Sequence, residues 1–413
     1  MPEQGIVVVG AGIVGASVAL ALQHDKHRVT LVDREAPCSG ASFGNAGAIV
    51  NASCPPTAMP GAVVDALRML IQPLPSLAIR PAYLHKLLPW LVQFALESRR
   101  SRVHENAKNL HALTCRAIAG WRLLTDGTDF HHLINEGGWL KVYESERSFA
   151  ATRESRDLMD ANGVSYDILS ANEIQDLEPN LAAIFKHGII QRDSLWLSNP
   201  QRVVQGMVDL FVARGGTFEQ LDVHSIDIQD ERVTLGNSTG TVCTDKAVIC
   251  AGAWSKPLAR QLGDKLPMDT ERGYHLILPP ENSRLLKRPV MSGEHLFVLV
   301  PMETGLRLTG LVELADLDAA PDYRLIRRLI PAASTMVPGI NATEESVWMG
   351  CRPSLPDSLP VIGVSSRSKR VLYAFGHQHL GMTLGPATGL IISDLLAGRN
   401  PGIDLDPYRP DRF

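Results

Sequence analysis

Three glycines near the start of the chain have the spacing of a phosphate-binding turn. Gly10, Gly12 and Gly15 form the pattern G-x-G-x-x-G directly after the β-branched run Gly5–Val9. In such a turn the first glycine permits a tight bend, the second lets a pyrophosphate approach the backbone, and the third lets a helix pack against the strand. The helix that follows directs its N-terminal N–H groups at the anion. The spacing therefore predicts a dinucleotide site.

An acidic residue after the next strand completes this pattern. The run Arg28–Val32 has the character of a second strand and is followed by Asp33, 23 residues after Gly10. A carboxylate at this place accepts hydrogen bonds from a ribose hydroxyl and would repel the 2′-phosphate of NADP. The motif leaves NAD and FAD open as cofactors. The alternative is that these glycines form a turn in some other fold and bind no cofactor.

The composition excludes several classes of protein. The chain has 413 residues, 45% hydrophobic and 20% charged, as in ordinary globular proteins. A formal net charge of −4 provides no basic surface for nucleic acid. Six cysteines without a C-x-x-C pair and 13 histidines without ligand spacing predict neither a disulfide framework nor a metal site. No basic segment precedes the uncharged run Gly5–Leu22, so we interpret it as strand and helix and expect a cytoplasmic protein.

Five segments occur in an order that resembles one family of flavoenzymes. Besides the first motif they are Ser42-Phe-Gly-Asn-Ala-Gly47, Val248-Ile-Cys-Ala-Gly-Ala-Trp-Ser255, Trp348-Met-Gly-Cys-Arg-Pro353 and Gly376-His-Gln-His-Leu-Gly-Met-Thr383. With them the chain resembles the FAD-dependent D-amino-acid dehydrogenases, in the family that includes D-amino-acid oxidase, glycine oxidase and sarcosine oxidase. The resemblance extends from about Gly5 to the C-terminus and implies FAD as the cofactor.

The resemblance also implies which residues contact FAD. Carried over from the motifs, they are Gly10, Gly12, Ile13, Val14, Gly15, Asp33, Arg34, Ser42, Asn45, Ala46, Gly47, Val223, Ala251, Gly252, Trp254, Gly376, Leu380, Gly381, Met382 and Thr383. We predict non-covalent binding. Sarcosine oxidases attach the flavin to a cysteine near the place of Cys351, but that position corresponds here to Gly350.

Arg352 is the residue predicted to bind the substrate. In related enzymes the arginine of a Trp-x-Gly-x-Arg-Pro segment binds the substrate carboxylate, and a planar guanidinium holds a carboxylate through two parallel hydrogen bonds. The resemblance adds Tyr274, His275 and His379 as pocket residues, with His379 assisting the carboxylate when protonated. Phe297 is a candidate for the apolar wall, and core packing is the alternative for it.

The implied fold is of the mixed α/β class. A Rossmann-like FAD-binding domain would be interleaved with a substrate domain made of an antiparallel sheet and helices. Residues 1–54, 145–258 and 346–413 would form the FAD-binding domain. Residues 55–144 and 259–345 would form the substrate-binding domain.

The hydrophobic pattern predicts the elements that would position the site. They are a helix over Pro200–Arg214, a buried strand over Lys246–Cys250, a strand over Val371–Phe375 with a loop to Leu384, and a helix from Gly385 to about Ala397. The last helix would direct its positive end at the loop. There it would stabilise negative charge on the N1 and C2 carbonyl edge of a reduced flavin.

These features predict FAD-dependent oxidative deamination of D-amino acids by hydride transfer from Cα to flavin N5, without a compulsory general base. Candidate substrates are D-proline, cis-4-hydroxy-D-proline and D-alanine, since the Arg-Gly-Tyr-His block at 272–275 resembles hydroxyproline-catabolic members. One alternative is an oxygen-dependent oxidase of glycine, sarcosine or another small amine that produces hydrogen peroxide. Another is a flavin subunit that is active only in a heteromeric complex, and the sequence leaves homo- or hetero-oligomers open.

Two features bear on the electron acceptor. Some oxidases of the family place a lysine beside the flavin, but no lysine occurs between Lys287 and Lys369, which favours a quinone or respiratory acceptor. The stretch Ala58–Leu96 is apolar, and three arginines follow it at 99, 100 and 102. Such a helix can lie peripherally at the inner face of the cytoplasmic membrane, where quinone is available. The alternative is a helix packed on the substrate domain.

Overall fold

The computed structural model describes residues 5–51, 53–64, 66, 76–229, 231–237 and 240–413. Within this part of the chain, strands form one sheet of six strands, one of nine, and two of three. The alternation of helices with parallel strands in the first sheet, beside a mainly antiparallel second sheet, confirms the predicted mixed α/β class.

The six-stranded sheet has the first predicted strand near its centre. In spatial order its strands are Thr217–Gln220, Arg28–Asp33, Gly5–Val9, Lys246–Ile249, Val371–Phe375 and Val361–Val364. All neighbours are parallel except the last pair. The central strands are rich in buried valine and isoleucine, as expected where helices or loops cover both faces of a parallel sheet.

Helices pack on this sheet around the first one. Helix Ile13–His24 contacts both Pro200–Ala213 and Gly381–Leu396, and it shares one hydrophobic core with them. The Asn199 side chain caps the N-terminus of helix Pro200–Ala213, and Gly215 follows the end of this helix with φ +90°. The predicted helix over Pro200–Arg214 is thus confirmed to within one residue.

The nine-stranded sheet is mostly antiparallel. Along it lie Ser346–Ser354, Asp269–Leu278, Gly305–Leu314, Phe297–Met302, Val290–Ser292, Trp139–Tyr143, His187–Gln191 and Asp167–Ser170, and Leu77–Ile79 pairs with Gly305–Leu314. A hydrophobic core packs one face of this sheet against helices Arg324–Arg327 and Ile330–Met336. Phe297 is fully buried in that core, so it packs in the protein interior, as the alternative to a place in the pocket wall predicts.

The remaining elements are shorter or lie around the two sheets. The small sheets comprise Ala48–Ile49, Leu195–Leu197 and Ile134–Asn135, and Ser225–Gln229, Arg232–Gly236 and Thr241–Thr244. The other helices are Leu84–Glu97, Arg100–Thr114, Ala117–Thr125, Glu146–Ala150, Arg153–Ala161, Ala171–Leu177 and Ser255–Gln261.

Each large sheet is built from several segments of the chain. Strands Asp167–Ser170 and His187–Gln191 belong to the nine-stranded sheet. Helices Arg100–Thr114 and Ala117–Thr125 contact the C-terminal helix Gly381–Leu396, and they contribute Leu110, Leu113 and Trp121 to its core. Neither hydrogen bonding between distant strands nor shared apolar packing follows from position along the chain, and the predicted domain boundaries stay a prediction.

The C-terminal helix begins at Gly381, four residues earlier than the sequence predicts, and therefore contains Pro386. A proline inside a helix leaves the carbonyl oxygen four residues before it without its usual partner. Here the indole N–H of the fully buried Trp121 donates to the Met382 carbonyl at 3.0 Å. A distant side chain thus replaces the missing helical hydrogen bond, which explains why a purely local interpretation placed the helix start at Gly385.

Among the described residues, no helix is long and apolar enough to cross a membrane. The apolar stretch Ala58–Leu96 forms helix Leu84–Glu97 in its second half. Its residues 65 and 67–75 lie outside the described part of the chain.

Candidate active site

A cavity of about 1100 Å³ is lined by residues of both large sheets. It is bordered by Arg352, by His379 and by every predicted FAD-contacting residue except Gly15 and Gly47. This volume exceeds the usual range for one small ligand, about 300–1,000 Å³. The structure therefore brings the separate motifs together around one space that is large enough for an extended cofactor and a small second ligand.

The glycine turn at one end of the cavity has the geometry that its spacing predicts. Gly10 has φ +108°, and a Cβ atom there would lie 2.5 Å from the carbonyl oxygen of Cys250. A Cβ atom on Gly15 would lie 1.7 Å from the Gly10 carbonyl oxygen, so this glycine serves the close approach of helix and turn without facing the cavity. Side chains at these positions would push apart the backbone that the turn brings together.

Asp33 lies beside that turn and supports it. One carboxylate oxygen accepts the backbone N–H of Ala11 at 2.6 Å, and the other accepts that of Glu35 at 3.1 Å. Burial nonetheless raises the pKa of Asp33, and these two hydrogen bonds oppose the rise. Next to it the Arg34 guanidinium stacks 3.9 Å from the ring centre of Trp254, and both residues line the cavity.

The Ser42–Gly47 loop is held by a buried arginine that the sequence analysis missed. The Arg307 guanidinium donates to the carbonyl oxygens of Phe43 and Asn45. Burial lowers the pKa of Arg307 to about 10, and the described residues provide no carboxylate within 4.0 Å of it. Gly44, Asn45 and Ala46 line the cavity, whereas Arg307 does not. Arg307 therefore holds this part of the cavity wall from the side that faces away from the cavity.

The first turn of the C-terminal helix forms another part of the wall. Leu380, Gly381, Met382 and Thr383 border the cavity. The Thr383 hydroxyl donates to the Ala48 carbonyl at 3.0 Å and accepts the N–H of Val50 at 3.2 Å, which ties this turn to the opposite loop. The positive end of the helix dipole thus borders the cavity, although the helix begins earlier than predicted.

Arg352 points from the edge strand of the nine-stranded sheet into the cavity. Its Nη1 donates to the Leu311 carbonyl oxygen at 3.1 Å, and within the described chain it forms no ion pair within 4.0 Å. Leu311 has φ +67° beside an irregularity in strand pairing, which turns that carbonyl towards the guanidinium. Most of the donors of Arg352 are therefore left for a ligand.

Gly273 provides the space that the Arg352 guanidinium occupies. A Cβ atom on Gly273 would lie 2.2 Å from Nη2 and 2.4 Å from Cζ of Arg352. No local pattern in the sequence marks this glycine as a site residue. It sits inside a strand without a positive φ, and only the cross-strand contact shows why it lacks a side chain.

Tyr274 and His275, both predicted pocket residues, do not line the cavity. Successive residues of a strand point to opposite faces, and Tyr274 faces away, where its hydroxyl donates to Glu313 at 2.6 Å. His275 is on the cavity side, but Trp348 stacks over it with ring centres 5.3 Å apart. Burial lowers the pKa of His275 to about 3, so it is a neutral structural residue at neutral pH.

His379 borders the cavity as predicted. Desolvation and the charges of Arg352 and Lys141 lower its pKa to about 4, although the residue is exposed in the open cavity. The neighbouring cations therefore disfavour a second positive charge on this histidine. Lys141 lines the same cavity, and burial lowers its pKa too. In the sequence, Lys141 lies far from the lysine-free interval between Lys287 and Lys369 on which the prediction about the electron acceptor rests.

Trp348 occupies the space in which a side chain at position 350 would lie. A Cβ atom on Gly350 would lie 1.9 Å from this indole ring, and one on Gly44 would lie 1.8 Å from it. The neighbouring Cys351 also borders the cavity, and its sulfur is 4.0 Å from the Leu317 carbonyl oxygen. These contacts support non-covalent binding of the cofactor.

The glycine turn, the ribose-side carboxylate and the helix N-terminus together fit a dinucleotide that extends along the cavity. Fold and site thus define a dinucleotide-dependent oxidoreductase, and its second sheet carries Arg352 on the wall of the cavity.

Comparison with known proteins identifies the cofactor and the family. The family model described as FAD dependent oxidoreductase, DAO, matches residues 5–395. The chain belongs to this family, and it is an FAD-dependent enzyme.

Individual relatives match over almost their whole length. A protein of Bradyrhizobium diazoefficiens named D-amino-acid oxidase is 34% identical over 423 residues and covers 100% of both chains. A Vibrio vulnificus protein named D-amino acid dehydrogenase is 28% identical, covering 97% of this chain and 99% of its own. The crystal structure of glycine oxidase from Geobacillus kaustophilus superposes with a TM-score of 0.74 at 22% identity over 99% of both chains, a likeness of fold.

Proposed function

We propose that the protein catalyses the FAD-dependent oxidative deamination of D-amino acids. The observation that carries the proposal is the guanidinium of Arg352, which faces the cofactor cavity with most of its donors unused. A carboxylate bound by two parallel hydrogen bonds is fixed in direction as well as in position, so the Cα–H bond of the substrate has one orientation. The names of the two relatives support D-amino acids as the substrates.

The residues of the chain bind and orient, while the cofactor supplies the redox chemistry. FAD, when bound, takes up the hydrogen and the two electrons that leave the substrate carbon. Arg352 holds the carboxylate, Gly273 leaves room for the guanidinium, and Trp348 closes the wall beside the Ser42–Gly47 loop. With a primary amino acid such as D-alanine, water then hydrolyses the imine to a 2-oxo acid and ammonia. With D-proline or cis-4-hydroxy-D-proline the imine is cyclic, and its hydrolysis opens the ring to a 2-oxo acid that keeps the nitrogen.

A substrate screen tests this proposal. The purified protein, loaded with FAD, is assayed for reduction of an artificial dye with D- and L-enantiomers of proline, alanine and 4-hydroxyproline. We expect reduction with the D-enantiomers and with cis-4-hydroxy-D-proline. Equal rates with both enantiomers, or no reduction with any amino acid, would contradict the proposal. Activity of the chain alone would also exclude the heteromeric alternative.

We propose a quinone or another respiratory acceptor for the electrons. Helix Leu84–Glu97 supports this, because one of its faces borders the cavity with Trp90, Leu91 and Phe94. Its opposite face exposes an apolar row at four-residue spacing, with exposures of 47% for Leu84, 57% for Leu88, 54% for Val92 and 43% for Leu96. Arg99 and Arg100 follow the row and are exposed. An apolar row with a basic end suits an anionic membrane surface.

Oxygen is the alternative acceptor. The relative named D-amino-acid oxidase favours it, and so does Lys141, which lines the cavity despite the absence of lysine from 288–368. Quantitative peroxide formation, one molecule for each amino acid oxidised, would establish oxygen. Reduction of a soluble quinone without peroxide would establish the respiratory acceptor.

The exposed row gives a prediction about membrane binding. In the double variant Leu88→Glu/Val92→Glu, we expect co-sedimentation with phosphatidylglycerol vesicles to fall at least tenfold, since burying one such side chain contributes about 1.5–3 kcal/mol. Leu123→Glu is the matched control, because Leu123 is 66% exposed on helix Ala117–Thr125. Equal vesicle binding by wild type and double variant would rule out this surface as the membrane contact.

A further inference from the structure

Arg352 has an acidic neighbour on the same wall of the cavity. Glu271 lies directly opposite it in the register of strands Asp269–Leu278 and Ser346–Ser354. Residues paired in this way point to the same face of an antiparallel sheet, with Cβ atoms about 4.5–5.5 Å apart. Both side chains line the cavity, and Glu271 is only 8% exposed. A half-buried cation and a buried anion thus face the same space.

The two charges do not neutralise each other by direct contact. Over the described part of the chain, neither Glu271 nor Arg352 takes part in an ion pair within 4.0 Å. Burying a charged group without an ion-pair partner is costly, and titratable groups of this kind that face a cavity are candidates for ligand binding. The opposite charges that the cavity offers match the carboxylate and the ammonium of a zwitterionic amino acid.

We propose that Glu271 binds the ammonium group of the substrate and accepts one of its protons. This inference rests on the proposed function. In the step, one N–H bond of the ammonium breaks and an O–H bond forms on the Glu271 carboxylate, which leaves a neutral amine and a carboxylic acid. No electron moves, and no further reactant is needed. The neutral amine is the form from which a hydride can leave Cα.

The surroundings suit Glu271 to this role. Burial raises the pKa of its carboxyl group, while the opposing charge of Arg352 and a hydrogen bond with the Ser354 side chain limit the rise. Asp269 on the same strand also acts on it, and the Asp269 carboxylate accepts the Tyr83 hydroxyl at 2.7 Å. Lys141 lines the same cavity from another strand. His379 stays neutral near pH 7 because its pKa is about 4. A carboxyl group with a raised pKa is a better proton acceptor than an ordinary surface glutamate.

The pH dependence of kcat/KM for D-proline distinguishes this role from a structural one. Wild-type kcat/KM should change little between pH 7 and 9, because Glu271 deprotonates the bound zwitterion. In Glu271→Gln, only substrate that is already neutral in solution reacts. The deficit relative to wild type should therefore shrink by about 100-fold over these two pH units, tenfold for each unit.

Two further variants complete the kinetic test. Glu271→Asp should restore part of the activity at pH 7, and Asp316→Asn, which changes a surface carboxylate paired with Lys86, should behave as wild type. A deficit of Glu271→Gln that is the same at every pH would overturn the proposal. So would equal failure of the Gln and Asp variants.

A binding experiment gives a readout that does not depend on turnover. 2-Aminoisobutyrate carries the zwitterion but has no Cα–H, and isobutyrate has the same carbon skeleton without the ammonium. Each is titrated into FAD-loaded protein while the flavin absorbance spectrum is recorded. Wild type should prefer the zwitterion, and Glu271→Gln should lower this preference at least tenfold with isobutyrate binding retained.

The outcomes separate the two proposals. If both ligands bind and Glu271→Gln leaves their ratio unchanged, Glu271 is not the ammonium partner, while the amino-acid site at Arg352 stands. If neither ligand perturbs the wild-type spectrum, the proposed function fails and this inference fails with it.

Discussion

Replacing Arg352 with alanine should lower kcat/KM for D-amino acids by about 10²–10⁴-fold while FAD remains bound. The magnitude follows from the two charge-assisted hydrogen bonds that a carboxylate would lose, at about 1.5–3 kcal/mol each. The kcat/KM of Arg352→Lys should lie between those of wild type and Arg352→Ala, because an ammonium keeps the charge but has no planar pair of donors. The measurement is steady-state kinetics, with the flavin absorbance of each purified variant as the check on cofactor content.

Pyrrolidine provides the control for this prediction, since it is D-proline without the carboxylate. Its slow oxidation should be nearly the same in wild type and in Arg352→Ala. The folded state should also be preserved, because Arg352 makes one hydrogen bond to Leu311 and no ion pair among the described residues. An equal loss for D-proline and pyrrolidine would show that Arg352 acts on the site as a whole rather than on the carboxylate.

The parts of the site that the sequence predicts are those encoded by contiguous segments. The glycine turn, Asp33 and the strand Val371–Phe375 each depend on neighbours within a few residues, and the structure has them where the patterns place them. The motif around Arg352 resembles that of known enzymes, and this resemblance is enough to predict that Arg352 lies at the cavity. Local patterns of this kind carry information about both backbone and role.

The parts that the sequence does not predict depend on contacts between distant segments. Tyr274 is one residue out of phase with the cavity face, and the resemblance alone cannot show which face a strand residue takes. Lys141 reaches the cavity from a strand more than 200 residues before Arg352. The early start of the C-terminal helix requires Trp121, which no local rule connects to Pro386. Tertiary contacts decide each of these cases.

Gly273 leads to the second large effect. In Gly273→Ala the new methyl group would lie 2.2 Å from Arg352 Nη2, so the guanidinium must move by more than 1 Å. A displacement of this size in a substrate-binding group can cost about 100-fold in rate, and we expect a loss of kcat/KM of that order. FAD content and the melting temperature should stay close to wild type, because the strand backbone at 273 accepts an alanine without strain.

A double-mutant cycle shows whether the loss acts through Arg352. In the Arg352→Ala background the guanidinium is absent, so adding Gly273→Ala should change kcat/KM less than about threefold. Gly240→Ala is the matched control, because a Cβ atom there meets no other atom within 4 Å. Additive losses in the double variant would mean that Gly273 affects the site by another route. Losses of kcat/KM that are not additive would establish that Gly273 provides the space for the guanidinium. The methyl group would then affect the rate only when the arginine is present.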